Sequence, residues 1–258
     1  MAKIYTTEIT SESIPSDNPI HQRLFKAYIV ADEYISGDVL EIGCGEGRGI
    51  ELILKKAAHF TAVDKLEAPL RKLEERFPSA KFIPMDLPPL SGLIDNSYDS
   101  IVSFQVIEHI RQDDFFLREI HRVLKPGGVA LITTPNRKLS LSRNPWHIRE
   151  YLASELKAMA LGIFKEVQML GITGNEKVME YHDKNRKSVQ QLMRWDIFNL
   201  QYNLPSWILR VPYELLNRIN RNKLNSVDEK LVASIHHEDY YVTENAEQAL
   251  DLFLIVRK

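Results

Sequence analysis

A doubly wound α/β domain is the fold the sequence predicts, and three observations carry that expectation. Short apolar runs alternate with helix-periodic segments, a glycine-rich turn follows the first such run, and acidic residues stand where the first three runs end. Regular alternation of this kind argues for a parallel sheet covered on both faces. At 258 residues, 44% of them hydrophobic, the chain suits one such domain with an elaboration.

Residues 1–18 show little periodicity, so an extended or mobile arm is expected, with residues 1–19 set apart from the domain. From Ile20 to Ile35, Leu24, Ala27, Tyr28, Ala31 and Ile35 share a helical stripe, and Gly37 is expected to close that helix. Val39-Leu40-Glu41-Ile42 then reads as a first strand, followed by Gly43-Cys44-Gly45-Glu46-Gly47-Arg48-Gly49 and a helix carrying Ile50, Ile53 and Leu54. Glycine in such a turn accepts backbone angles closed to other residues and lets a ligand approach the main chain. Phe60 to Val63 is a second strand ending in Asp64. Lys81 to Pro84 is a third, ending at Met85-Asp86, and Tyr98 to Phe104 is a fourth, followed by Gln105 to Ile110. A helix with Phe115, Phe116, Ile120, Val123 and Leu124 is stopped by Lys125-Pro126-Gly127-Gly128. Val129 to Thr133 is the fifth strand, with Thr134-Pro135-Asn136 after it. Right-handed crossovers place every strand-to-helix loop at one sheet edge, so Glu41, the glycine loop, Asp64, Asp86, Phe104-Gln105 and Asn136 should converge on one crevice.

Beyond Asn136 the order loosens. Pro145 to Tyr151 precedes a helix ending near Gly162, Phe164 to Leu170 reads as a sixth strand and Asp251 to Arg257 as a seventh. The intervening stretch far exceeds a hairpin connection. Its apolar periodicity around 189–200 and 204–219 makes it a helical insertion over 173–238, leaving 20–172 plus 239–258 as the main domain. Ser226 with Glu229 fits a capping box for one further short helix.

The net charge of −2 leaves no electrostatic footprint for nucleic acid. Cys44 is the only cysteine, which excludes an intramolecular disulfide and a cysteine metal cluster, and no metal site is expected. The first 18 residues lack the apolar core of a signal peptide, and no apolar run is long enough to span a bilayer, so a cytoplasmic protein is expected.

Glu41-Ile42-Gly43-Cys44-Gly45-Glu46-Gly47, Asp64, Met85-Asp86 and Lys125-Pro126-Gly127-Gly128 together resemble a class I S-adenosylmethionine-dependent methyltransferase, over about residues 20–170 plus the last strand. Ile107-Glu108-His109, Thr134-Pro135-Asn136 and His147-Ile148-Arg149-Glu150-Tyr151 are similar to its small-molecule group. Leu204-Pro205-Ser206-Trp207 and the run from Tyr241 to Leu252 are similar to bacterial members associated with polysaccharide or glycolipid biosynthesis. The resemblance implies a Rossmann-like, seven-stranded, mostly parallel sheet with an antiparallel last strand. It implies S-adenosyl-L-methionine as cofactor and S-adenosyl-L-homocysteine as product. Glu41, Gly43, Cys44 and Gly45 would hold the methionine part and Asp64 would accept from the ribose hydroxyls, as an acceptor-only group suits a diol. Lys65 and Leu66 would flank the adenine. Asp86, after Met85, would accept from the adenine amine while the Leu87 amide reaches a ring nitrogen. Phe104 and Gln105 would line the methionine side, and Tyr28, Asn136, Trp146 and Tyr151 would face a small-molecule acceptor, a sugar or lipid-linked glycan.

Competing readings attach to several of these residues. A dehydrogenase fingerprint would need glycine where Arg48 stands and has no use for Met85-Asp86. Cys44 sits beside a helix start that could lower its pKa, but a small residue is needed there and packing is the favoured role. His109 and His147 are the candidate general bases, needed only if the acceptor is a hydroxyl or acidic carbon. His109 serves equally as a structural group, and His147 shares a face with Tyr151 only if that segment is helical. His236-His237-Glu238-Asp239 reads as surface. The apolar stripe Leu204, Trp207, Ile208, Val211, Leu215 and Ile219, with basic residues nearby, fits a membrane-surface helix over 204–223; the favoured alternative is a lid or homodimer element whose stripe packs on the domain. A non-catalytic, cofactor-binding partner protein is the alternative to an enzyme.

Overall fold

The computed structural model describes residues 14–194, 196 and 199–258. Eight strands form one sheet: β1 Gly37–Ile42, β2 Ala57–Asp64, β3 Lys81–Pro84, β4 Tyr98–Phe104, β5 Leu124–Pro135, β6 Glu166–Gly174, β7 Tyr240–Thr243 and β8 Asp251–Arg257, in the order β3-β2-β1-β4-β5-β8-β6-β7. The pairs among β1 to β5 are parallel, and β8 runs antiparallel between β5 and β6. The doubly wound architecture is therefore as expected. The sheet is one strand wider than seven, because Tyr240–Thr243 adds an antiparallel edge to β6.

Alternate residues of each central strand feed two cores, as a sheet covered on both faces requires. Val39, Ala62, Val102, Leu131 and Phe253 point to one side, and Leu40, Val63, Ile101, Ile132 and Leu254 to the other. The first face is covered by α1 (Asn18–Ala31), α2 (Ile50–Ile53) and α3 (Glu67–Arg76). The second is covered by α4 (Asp113–Val123) and α5 (Ala153–Leu161). Between β6 and β7 lie α6 (Glu176–Met193), α7 (Leu200–Asn203), α8 (Ser206–Val227) and α9 (Glu229–Ser234).

Several local expectations are corrected. Residues 1–13 of the expected arm lie outside the described residues, but Pro15–Asp17 is a 3-10 turn and Asp17 is fully buried. Its carboxylate accepts from Arg218 at 2.8 Å and from Arg221 at 3.0 Å, so burial of the acid is matched by two guanidiniums of α8. α1 ends at Ala31 rather than Ile35, and Gly37 opens β1 with φ +69° instead of closing the helix. The Ser226–Glu229 box does not form: α8 runs through Ser226, and Asp228 caps α9 by accepting from the Leu231 amide at 3.2 Å. α1 is tied down to the insertion at several points. Asn18 Nδ2 donates to the carbonyls of Val232 and Ile235 at 2.7 and 2.9 Å, and the Tyr240 hydroxyl donates to the Pro19 carbonyl at 2.7 Å.

Candidate active site

The carboxyl ends of β1 to β4 open onto a crevice of about 1440 Å³. Gly43 and Gly45 follow β1 with φ +81° and +53°, in the region that favours glycine. A methyl group on Gly43 would strike Val106, whereas at Gly45 nothing lies within 4 Å, so that peptide faces open space. The Gly45 amide donates to Asp64 Oδ2 and the Leu66 amide to Asp64 Oδ1, both at 2.9 Å. Asp64 thus ties the glycine loop to the start of α3, and each of its oxygens keeps a second lone pair for a ligand hydroxyl. One bond further along the edge, the Met85 amide donates to the Asp64 carbonyl at 2.8 Å, which brings Asp86 to the same crevice. Lys65, Leu66, Asp86, Leu87, Phe104 and Gln105 all line it, as the sequence implied.

Cys44 lines it too, though almost wholly buried, whereas Glu41 and Met85 sit deeper. Glu41 is buried beneath the loop and accepts from the Tyr28 hydroxyl at 2.6 Å, with its other oxygen unpartnered among the described residues. Burial pushes its carboxyl up to about 7, against the pull of the Tyr28 hydrogen bond, with Asp64 adding to the rise. Burial, with Glu41 and Asp64 nearby, pushes the Cys44 thiol well above its ordinary value, which supports packing over reactivity. Met85 is a core residue beside Leu90 rather than a lining one. Gln105 closes β4 in the left-handed region, φ +60°, a conformation that costs a non-glycine residue free energy and often marks functional loops. Two bonds hold it there: its amide to the Thr133 carbonyl at 2.9 Å and its side chain to Thr133 Oγ1 at 3.2 Å.

The residues expected to face an acceptor divide sharply. Tyr28 lines the crevice edge-on to Phe104, ring centroids 4.8 Å apart, but its hydroxyl is committed to Glu41, so it is a wall of the cofactor side. Tyr151 is fully buried with its hydroxyl donating to Asp113 at 2.8 Å, which removes it from the acceptor set. Asn136 is a clamp: its Nδ2 faces the carbonyls of Ala246, Glu247 and Ala249, and its Oδ1 accepts from the Lys138 amide. Trp146 lies under Arg210 of α8, 4.1 Å from guanidinium carbon to ring centroid, with its indole Nε1 unpartnered among the described residues.

His109 and His147 come together, ring centroids 5.0 Å apart. His109 Nδ1 donates to the Trp146 carbonyl at 3.0 Å; a carbonyl only accepts, so the proton sits on Nδ1. The His147 segment is a turn, not a helix, so its partner is Glu150 at 2.6 Å instead of Tyr151, while Asn144 Nδ2 donates to its Nε2 at 2.7 Å. A second cavity of about 240 Å³ adjoins, sharing Gln105 and His109 with the crevice. Arg23, Glu108, Asn144, His147, His182 and Arg221 are among its walls.

Sequence reasoning missed the rim. His21, Gln22 and Phe25 of α1, and His236, His237 and Glu238 ahead of β7, line the crevice, so the run read as surface, with His236 and Glu238 exposed, also walls it. Phe25 meets His237 edge-on at 5.5 Å, and Arg48 donates to His21 at 3.3 Å. Spacing carried no signal for this, since α1 and the segment ahead of β7 lie at opposite ends of the chain.

Comparison with known proteins agrees with this geometry. Residues 40–132 match a family profile described as a methyltransferase domain. A protein named a probable S-adenosylmethionine-dependent methyltransferase in Mycobacterium tuberculosis is 36% identical over 183 residues, 68% of this chain and 64% of that one. The ubiquinone biosynthesis O-methyltransferase of Pseudomonas syringae pv. tomato is 29% identical over 103 residues, 38% of this chain and 44% of that one. Among solved structures, an S-adenosylmethionine-dependent methyltransferase from Thermotoga maritima, described as a possible histamine N-methyltransferase, superposes with TM-score 0.57 at 15% identity, over 93% of this chain and 91% of that one. Another from Archaeoglobus fulgidus gives 0.53 at 18%, over 93% of both. Residues 40–132 are therefore a methyltransferase domain, and the fold is that of the class I S-adenosylmethionine-dependent methyltransferase family. The cofactor of that family is S-adenosyl-L-methionine. The match covers 64% of the Mycobacterium tuberculosis relative and 44% of the Pseudomonas syringae one, less than two thirds of either.

Proposed function

We propose that the protein transfers a methyl group from S-adenosyl-L-methionine to a hydroxyl of a small, polar acceptor. The observation that carries this is the Met85–Asp64 bond, which aligns Asp64 and Asp86 along one edge beside the open Gly45 peptide. The residues fit the cofactor. A cradle without side chains suits its chain, and two strand-end carboxylates suit the ribose diol and the adenine amine. The crevice also exceeds the roughly 300–1,000 Å³ of an ordinary ligand pocket, leaving room for an acceptor. When bound, the cofactor supplies a methyl already activated by the positive charge on its sulfur.

The chain's own part is to bind, orient and exclude water. Asp64 and Asp86 hold the nucleoside, the glycine loop and the buried Glu41 flank the methionine part, and Phe104 with Tyr28 keep that side apolar. Fixing two reactants in attack geometry is worth about 7–11 kcal/mol at best. The polar walls of the smaller cavity, Arg23, Asn144, His182 and Arg221 among them, favour a hydroxyl-rich acceptor such as a sugar. The name of the Pseudomonas relative favours oxygen as the atom methylated.

α8 supports the lipid-linked form of that acceptor. Its apolar stripe, expected to pack on the domain, instead leaves Trp207 72% and Val211 76% exposed, with Leu215 and Ile219 beside them. On the other side of the same helix, Tyr213 and Arg221 wall the acceptor cavity. A helix with one face on a membrane surface and the other on the acceptor would bring a lipid-borne sugar to the crevice. Among the described residues, no helix is long and apolar enough to cross a membrane.

Calorimetry with S-adenosyl-L-methionine and S-adenosyl-L-homocysteine tests the first step, and turnover over a panel of hydroxylated acceptors the second. Micromolar binding lost in both Asp64→Ala and Asp86→Ala is expected. Heat with neither ligand sinks the proposal, and binding without turnover on any acceptor favours the non-catalytic reading. Sedimentation with anionic vesicles tests the α8 surface; a concentration-dependent dimer, dispersed by Trp207→Ser, would assign that face to a second copy instead.

A further inference from the structure

Glu108, His109 and His147 bring one carboxylate and two imidazoles together where the crevice meets the acceptor cavity, and their nearest donor atoms all lie within 4.8 Å of one another. We propose that these three residues form a divalent-metal site that takes an oxygen of the acceptor as a further ligand. The inference deepens the methyltransferase reading and rests on it.

Geometry and second contacts both point this way. Donors around a tetrahedral ion at 2.0–2.2 Å lie about 3.3 Å apart, so the widest pair closes by about 1.5 Å. Each imidazole is oriented as metal-binding histidines are, by an acceptor on its Nδ1: the Trp146 carbonyl for His109 and the Glu150 carboxylate for His147. Because the His109 proton sits on Nδ1, the Nε2 lone pair faces Glu108 Oε1 at 4.0 Å. Glu108 is itself almost wholly buried, anchored through its other oxygen by the Thr134 hydroxyl at 3.0 Å, while its main-chain carbonyl accepts from the amides of Ile148 and Arg149. Those last bonds lock the two halves of the site together. Ion binding exchanges the Asn144 amide at His147 Nε2 for the metal.

Two imidazoles and one carboxylate are a donor set for zinc and its first-row neighbours, not for magnesium or calcium. Three protein ligands leave a position open, and a Lewis acid there lowers the pKa of a bound hydroxyl. The imidazoles alone offer less: His147 is hydrogen-bonded at both nitrogens, and His109 Nε2 faces the Glu108 carboxylate.

The test is calorimetric titration of the full chain, stripped with EDTA, using zinc chloride or manganese chloride alone. One ion per chain is expected. Affinity should fall about a hundredfold in His147→Ala and in Glu108→Gln, and stay within twofold in the double variant His236→Ala, His237→Ala, which removes the competing pair of histidines. Cobalt(II) in place of zinc should show intense visible bands that vanish in His109→Ala. Each variant is also titrated with S-adenosyl-L-homocysteine. Retained binding certifies the fold and separates this proposal from the cofactor assignment, which fails only if the parent chain does not bind that ligand. No ion bound by the parent overturns the site, as does binding unchanged in both His109→Ala and His147→Ala.

Discussion

The two halves of the site are built on different principles. In the crevice proposed to take the cofactor the working groups are main-chain amides and strand-end carboxylates, positioned by neighbouring strands: Gly45 to Asp64, Leu66 to Asp64, Met85 to the Asp64 carbonyl. In the acceptor half they are side chains from segments far apart, held by one another: His109 on Trp146, His147 on Glu150 and Asn144, Asp17 on two arginines of α8. A half framed by the backbone tolerates changes in its surroundings but depends on a few residues. A half framed by side chains can be altered at many points. That difference can be tested residue by residue.

The largest effect is expected at Asp64. Its removal deletes charge-assisted bonds to the ligand, each worth about 1.5–3 kcal/mol, and leaves two amides without their acceptor. Asp64→Ala should weaken S-adenosyl-L-homocysteine binding by about a hundredfold or more in calorimetry. Asp64→Asn, which keeps one acceptor oxygen, should recover part of it. An effect below fivefold in the alanine variant would break the claim that this half hangs on few residues.

Next comes Asn136. Asn136→Ala leaves two buried carbonyls and one part-buried carbonyl without their shared donor and should cost about 2–4 kcal/mol in chemical denaturation, while cofactor-product affinity stays within a few fold. Equal stability with lost acceptor binding would return Asn136 to the ligand-contacting role that spacing suggested.

Glu41 gives a smaller, pH-dependent effect. Its folded pKa of about 7 lies above the ordinary 4.5, so between those values the folded protein holds a proton that the unfolded chain has released. This group's contribution to stability is therefore greatest at low pH and declines as pH rises from about 4.5 to 7, by an amount on the order of 3 kcal/mol. Glu41→Gln should flatten that part of the stability–pH profile. In the parent, the same ionisation should make binding of the cationic cofactor tighten from pH 6 to pH 8; parallel profiles for parent and variant would discard the assignment.

The smallest effect is expected on the exposed face of α8. Trp207→Ser with Val211→Ser should shift stability by no more than about 0.5 kcal/mol per site, because neither side chain is buried. Sedimentation with vesicles should nonetheless be lost. A destabilisation of several kcal/mol would mean that the stripe packs on the chain.

The sequence by itself determined the sheet and the crevice edge. Apolar runs of period two, helical stripes and the order Glu41, glycine loop, Asp64, Asp86 are local signals, and parallel crossovers send every such loop to the same side. Tertiary structure alone decided the rest. Tyr151 and Asn136 sit in motifs whose family resemblance implied the acceptor, yet burial and their own hydrogen-bond partners make them structural. His236 and His237 looked like surface and became a wall because α1 lies across them, and the α8 stripe looked like a packing face and stayed exposed. The physical reason is range: hydrophobic periodicity and turn chemistry act over a few residues, whereas the acceptor half is decided by which distant side chains satisfy one another once the chain has closed.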